Sequence, residues 1–154
     1  MITTQTIDQT IARFESQSKD VDDAFEALEN DHQELLDVLA GSNAESLTDD
    51  EMDYLLFLFA VIYDSYRKSG PLPSPDLEEI EKTEDSVWEI INDKKDLASV
   101  LDHYYERSPQ HDLIEFIELS VGPDDENEFE LSDSGRTILL AALLAEVELL
   151  GAAA

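Results

Sequence analysis

Two stretches, Leu55–Ile62 and Ile138–Ala145, are apolar at every position in a chain where 31% of residues are charged. Eight residues are far short of the roughly 20 that cross a bilayer. A helix that is apolar all round in a soluble protein belongs inside a bundle. The segment around Leu55–Ile62 is therefore expected at the centre of the fold, with the last helix packed nearby. Residues 1–6 carry no basic start and no apolar core, so no secretory signal is expected, and a cytoplasmic protein with no membrane contact is the expectation.

The rest of the chain supplies the outer helices. Ile7, Ile11, Phe14, Ser18, Val21, Phe25, Leu28, His32, Leu35 and Leu39 alternate in steps of four and three. This 3.5-residue period predicts one long helix over 4–40, or two nearly collinear ones, closed by Gly41 in a left-handed cap. Such a stripe serves either of two purposes. It packs against its own domain, or it forms a seam between two copies, a homodimer in which Phe14, Val21, Phe25 and Leu28 make the contact.

Thr48-Asp49-Asp50-Glu51 is a capping box opening a second helix, which Gly70 stops. Pro71 to Pro75 form a stiff connector, with Ser74 as the expected cap and Pro75 as the first helical residue. A third helix carries Leu77, Ile80, Val87, Ile90 and Ile91 inward, with Trp88 at the margin. Asp96 caps a fourth helix, Ser108-Pro109 opens a fifth, and Ser132 or Asp133 caps the last. Gly135 falls in the first turn of that last helix, where its cost is small. Over 117–131 a period-two alternation admits a short β-hairpin as the alternative to an acidic loop. The expectation is an all-α single domain over 1–154, a bundle of about six helices whose core spans 48–150.

The balance of 38 acids against nine bases gives a net charge of −29. Split at residue 77, the halves carry −13 and −16, so the charge belongs to the whole surface. Such a field repels nucleic acid and anionic membranes and draws cations and basic proteins. Two causes compete. Either the exterior is adapted to high salt, where screening shrinks to about 3 Å at 1 M, or the protein binds a basic partner, as an acidic inhibitor, immunity protein or nucleic-acid mimic does.

Catalytic motifs are missing from the sequence. There is no cysteine, no Gly-x-Ser-x-Gly elbow and no phosphate-binding glycine loop. Glu29 and His32 have the Glu-x-x-His spacing of carboxylate-bridged di-metal bundles, but no second such pair exists. His103 and His111, each next to an aspartate, are the other metal candidates. The acidic run after Gly122 does not fit the calcium loop, since Phe129 and Gly135 stand where glycine and glutamate are needed. No cofactor is expected, and the reading is a non-enzymatic protein-interaction role, with a metal-binding bundle as a further alternative.

Phe129 to Leu139 resembles the strand-to-helix junction that closes the wing of winged-helix proteins. That resemblance implies that the helix at 109–119 takes the recognition position. It carries Asp112, Glu115 and Glu118 and no lysine or arginine. Phosphate neutralisation needs those cations, so direct nucleic-acid binding is not expected.

Overall fold

The computed structural model describes residues 2–122 and 131–151, which are all-α with no strand among them. Eight α-helices follow in order: α1 Thr4–Ser16, α2 Ser18–Asp31, α3 Gln33–Leu39, α4 Asp49–Ser69, α5 Leu77–Lys94, α6 Leu97–Arg107, α7 His111–Val121 and α8 Asp133–Gly151. A 3₁₀ turn at Gly41–Asn43 lies between α3 and α4.

The two apolar runs meet at the centre. α8 packs against α3, α4, α5 and α7, and α4 also receives α1 and α2. Leu55, Phe59 and Ile62 of α4 and Leu139, Leu143 and Ala145 of α8 are each fully buried. Removing side chains of this size from water stabilises the fold by about 1.5–3 kcal/mol each for the larger ones. Most charged residues are left on outward faces, while Glu51 and Asp64 of α4 and Glu146 of α8 are buried.

The N-terminal stripe is not a rod. Gln17 is extended (φ −141°, ψ 104°) and separates α1 from α2; His32 (φ −141°, ψ 38°) separates α2 from α3. The two polar positions of the stripe, Ser18 and His32, fall at these breaks. Each segment then serves a different neighbour: α1 lies on α4 and α7, α2 on α4, and α3 on α5 and α8. The start of α1 is tied down by Ile2 N–H donating to Gln110 Oε1 (2.9 Å) and Thr4 N–H donating to Asp112 Oδ2 (2.9 Å).

Four local expectations are corrected. Gly41 is not a left-handed cap; Ala40 closes α3 and Gly41 begins the 3₁₀ turn. The cap of α5 is Asp76, which accepts from Glu79 N–H, so the helix begins two residues later than the proline pattern suggests. Leu77, expected inside, is 44% exposed because it occupies the first turn, above the packed region. Residues 117–121, offered as one arm of a hairpin, are helical in α7; the other arm, with Phe129, lies outside the described residues.

Other signals hold. Thr48 and Glu51 form the capping box of α4, Gly70 ends it at φ 157°, and Asp96 caps α6. Ser132 Oγ accepts from Gly135 N–H (3.0 Å) at the start of α8. Glu51 does a second job there. Its Oε1 accepts from Thr48 N–H (3.0 Å), and its Oε2 accepts from Ser132 N–H and O–H (both 2.9 Å). One buried carboxylate therefore joins the starts of the two central helices. Burial alone would push its pKa up, but the hydrogen bonds from Thr48 and Ser132 outweigh that and hold it below the usual range.

Candidate functional site

The α2–α3 elbow is where polar chemistry reaches from the surface into the core. Leaving helical geometry at residue 32 turns the imidazole toward α4 and the proline connector. His32 Nδ1 lies 2.8 Å from Tyr63 Oη, and Nε2 lies 3.0 Å from the Pro73 carbonyl oxygen. A carbonyl only accepts, so Nε2 carries the hydrogen. In the neutral ring Nδ1 is then the acceptor for the Tyr63 hydroxyl. The rings meet edge-on at 5.4 Å. This one side chain fastens α2, α4 and the connector.

Outside it lies a cleft of about 200 Å³ whose walls include Glu29, Asp31, His32, Glu34, Ser74 and Pro75. Glu29 and His32 thus share a cleft, as their spacing implies, but they do not form a metal centre. Both imidazole nitrogens are spent within the protein, and Glu29 is exposed. His103 is elsewhere, half-buried on α6, with its ring edge-on to Tyr104. His111 is exposed at the start of α7 beside Tyr105. No three His, Asp or Glu side chains among the described residues are grouped to hold a metal ion. The four candidates are therefore not one site, because three helices carry them to separate places.

Further inside, Tyr63 is 1% exposed. Burial first, then the nearby charges of Asp31, Asp64 and Glu146 against Arg67, push its phenol up to about 12. It keeps its proton across the ordinary pH range. Glu146, on α8, is fully buried, and neither carboxyl oxygen has a hydrogen-bond partner among the described residues. Burial pushes its pKa well above the usual carboxylate range. Tyr66, which also feels Glu146, donates to the Val147 carbonyl (3.3 Å).

A second polar cluster ties α1 to α4. Asp64 is 1% exposed and receives Arg13 Nη2 at 3.0 Å and Arg67 Nη2 at 2.8 Å. Thr10 Oγ takes part as well, accepting from Arg13 (3.2 Å) and Ser65 (3.3 Å). Tyr63, Asp64 and Glu146 were absent from the sequence expectations. The signal for the two acids was there: each interrupts or adjoins an otherwise apolar helical stretch.

Of the four residues offered as a dimer contact, Phe14 and Leu28 are buried within the chain's own core. Val21 and Phe25 are half-buried and packed against that core. The stripe is used internally because α1 and α2 both lie on α4. No helix among the described residues is long and apolar enough to cross a membrane. Comparison with family models, curated proteins and solved structures finds no match.

Proposed function

We infer that this chain is a non-catalytic protein-interaction module with an exterior suited to concentrated salt. One observation carries the reading. Thirty-three of the 38 acids lie among the described residues, and ion pairs there engage three of them: Asp64, Asp133 and Glu148. None of the five lysines is in an ion pair among the described residues. Carboxylates left unpaired on the surface repel one another at low ionic strength, and that repulsion fades as the screening length shrinks. The apolar side chain of Leu119, 67% exposed on α7, gives such a surface a contact point for another protein.

The test is a thermal melt against KCl. A melting temperature that climbs steeply and levels off only near molar salt supports the reading. Full stability at 0.1 M, unchanged at 2 M, overturns it.

A second reading has its own support. Residues 18–39 and 76–94, which hold α2, α3 and α5, carry sixteen of the 33 described acids, and α3 packs on α5. An acidic face of this kind would steer a basic partner by complementary fields. Under this reading, charge-reversing Glu26, Glu29 and Glu81 weakens capture of an oligo-arginine peptide at 0.1 M salt more than reversing Asp8, Asp102 and Glu106. Equal losses would discard it.

A further inference from the structure

We propose that the cleft between the α6–α7 junction and the end of α8 binds a small zwitterion, a free α-amino acid with a modest apolar side chain. The cleft holds about 240 Å³ and is lined by Arg107, Ser108 and Gln110 of the junction and by Val147, Glu148 and Gly151 of α8. It shares no residue with the cleft at the α2–α3 elbow or with the Arg13–Asp64 cluster.

Gln110 is the side chain that asks for a ligand. It is 4% exposed. Its Oε1 accepts from Ile2 N–H (2.9 Å). That bond needs an acceptor, so the other amide atom is Nε2, a donor. Nε2 donates to nothing among the described residues. It is not sealed in the core either, since the unpartnered buried side-chain atoms there belong to His103 and Glu146. A free donor on a side chain so deeply buried costs stability until an acceptor meets it. Two further donors stand beside it. Ser108 Oγ accepts from Gln110 N–H (3.1 Å) and keeps its own proton to give. Arg107 is held loosely, with Nε 3.7 Å from Glu148 Oε1, so both terminal nitrogens are uncommitted among the described residues.

These donors suit a carboxylate, which a guanidinium binds with two parallel hydrogen bonds. Glu148, half-buried, is the acceptor for an ammonium. The helix ends agree with this polarity. Gln110 is the N-cap of α7, whose start is a positive end, whereas α6 stops at Arg107 and α8 at Gly151, both negative ends. The net charge separates the ligand classes. A simple anion is repelled by a chain carrying −29. A simple cation finds carboxylates over the whole surface and gains nothing from Arg107, Ser108 or Gln110. A zwitterion has no net charge, and its two poles are the two the cleft answers. Val147 adds an apolar wall for its side chain.

The ¹⁵N-labelled full chain would be titrated with L-alanine, L-valine and L-leucine, following the Gln110 side-chain and Gly151 backbone amide signals. One KCl concentration is used, at which each variant is folded by circular dichroism. At least one amino acid should shift both signals saturably, with a Kd of about 1 mM or below. Acetate and methylammonium, which carry one pole each, should bind at least about tenfold more weakly. Arg107→Met, at an exposed position, should weaken binding about tenfold. Gln110→Glu keeps an oxygen for Ile2 but turns the free donor into a negative acceptor, and should abolish the Gly151 shift.

The absence of a saturable shift with all three amino acids overturns the proposal. So does acetate or methylammonium binding as tightly as the amino acid, or wild-type affinity in either variant. Should Gln110→Glu fail to fold, Arg107→Met decides under the same outcomes.

Discussion

Gly135 lies directly against the carboxylate of Glu51: a Cβ at position 135 would overlap Glu51 Oε2 and come within 2.9 Å of Ser132 Oγ. The first turn of α8 is therefore built around the absence of a side chain. Glycine there is a packing requirement, and the expectation that it is nearly free in a first turn misses the neighbour it admits. Gly135→Ala should destabilise the protein by about 2 kcal/mol, within the usual range for forced overpacking. The penalty should shrink in the Glu51→Ala background, where the obstructing carboxylate is gone. A double-mutant cycle on urea midpoints measures that coupling; additive losses would show that the contact is relieved elsewhere.

Glu51→Gln should cost about 1–3 kcal/mol, because an amide cannot accept on both sides from Thr48 and Ser132. The pH dependence has a definite sign. The folded-state carboxyl lies below its unfolded value, so its contribution is present above about pH 4.3 and is lost as pH falls through the folded-state titration. Stability curves of wild type and Glu51→Gln should converge in acid and separate toward neutrality. Parallel curves would mean that the carboxylate charge contributes nothing.

Lys95 occupies a strained backbone position between α5 and α6. Its φ is 70° and ψ is −34°, and Asp96 N–H bonds back to the Lys94 carbonyl (2.9 Å), the rarer γ-turn. A side chain there costs about 1 kcal/mol or more. Lys95→Gly should raise stability by about 1 kcal/mol, while Lys95→Ala, which removes the same charge but keeps the strain, should not. The thermal midpoints of the two variants decide it.

Asp64→Asn should weaken the α1–α4 contact, since it leaves Arg13 and Arg67 without their shared counter-charge. The two guanidinium groups are 36% and 31% exposed, so water compensates in part and the loss should be about 1–3 kcal/mol, below the full cost of a stranded buried charge. Arg13→Met should lose less, because Asp64 keeps Arg67. The two losses are compared by chemical unfolding at one salt concentration; equal losses would assign the contact to packing alone.

The parts that were legible from sequence are those written within one turn of a helix. The Thr48–Glu51 box, the Gly70 stop and the Asp96 cap each involve partners three residues apart or a single backbone angle, so the spacing alone carries them. The two apolar runs likewise announced the pair of central helices. Glu51 to Ser132 spans 81 residues, and no local pattern encodes it. The heptad stripe carries less, because a continuous 3.5-residue period fits one helix, two nearly collinear ones or the three separate helices α1, α2 and α3. A polar residue at a stripe position is compatible with a polar seam contact and with an elbow; Ser18 and His32 turned out to mark elbows. For His32 the reason is visible only in three dimensions, where Tyr63 and the Pro73 carbonyl supply both partners. The Glu29–His32 spacing was real as a shared cleft, but the ring nitrogens that a metal would need were already taken.

The order in which the helices leave the ribosome has a cost of its own. α4 presents Leu55 to Ile62, yet its main companion α8 begins at Asp133. At typical synthesis rates, the roughly 70 residues between Ile62 and Asp133 take about 3.5 to 14 s to appear. Throughout that interval α4 has α1 and α2 beside it, while the face that α8 will cover stays open. A shielding chaperone acting within that gap should raise the yield of native molecules.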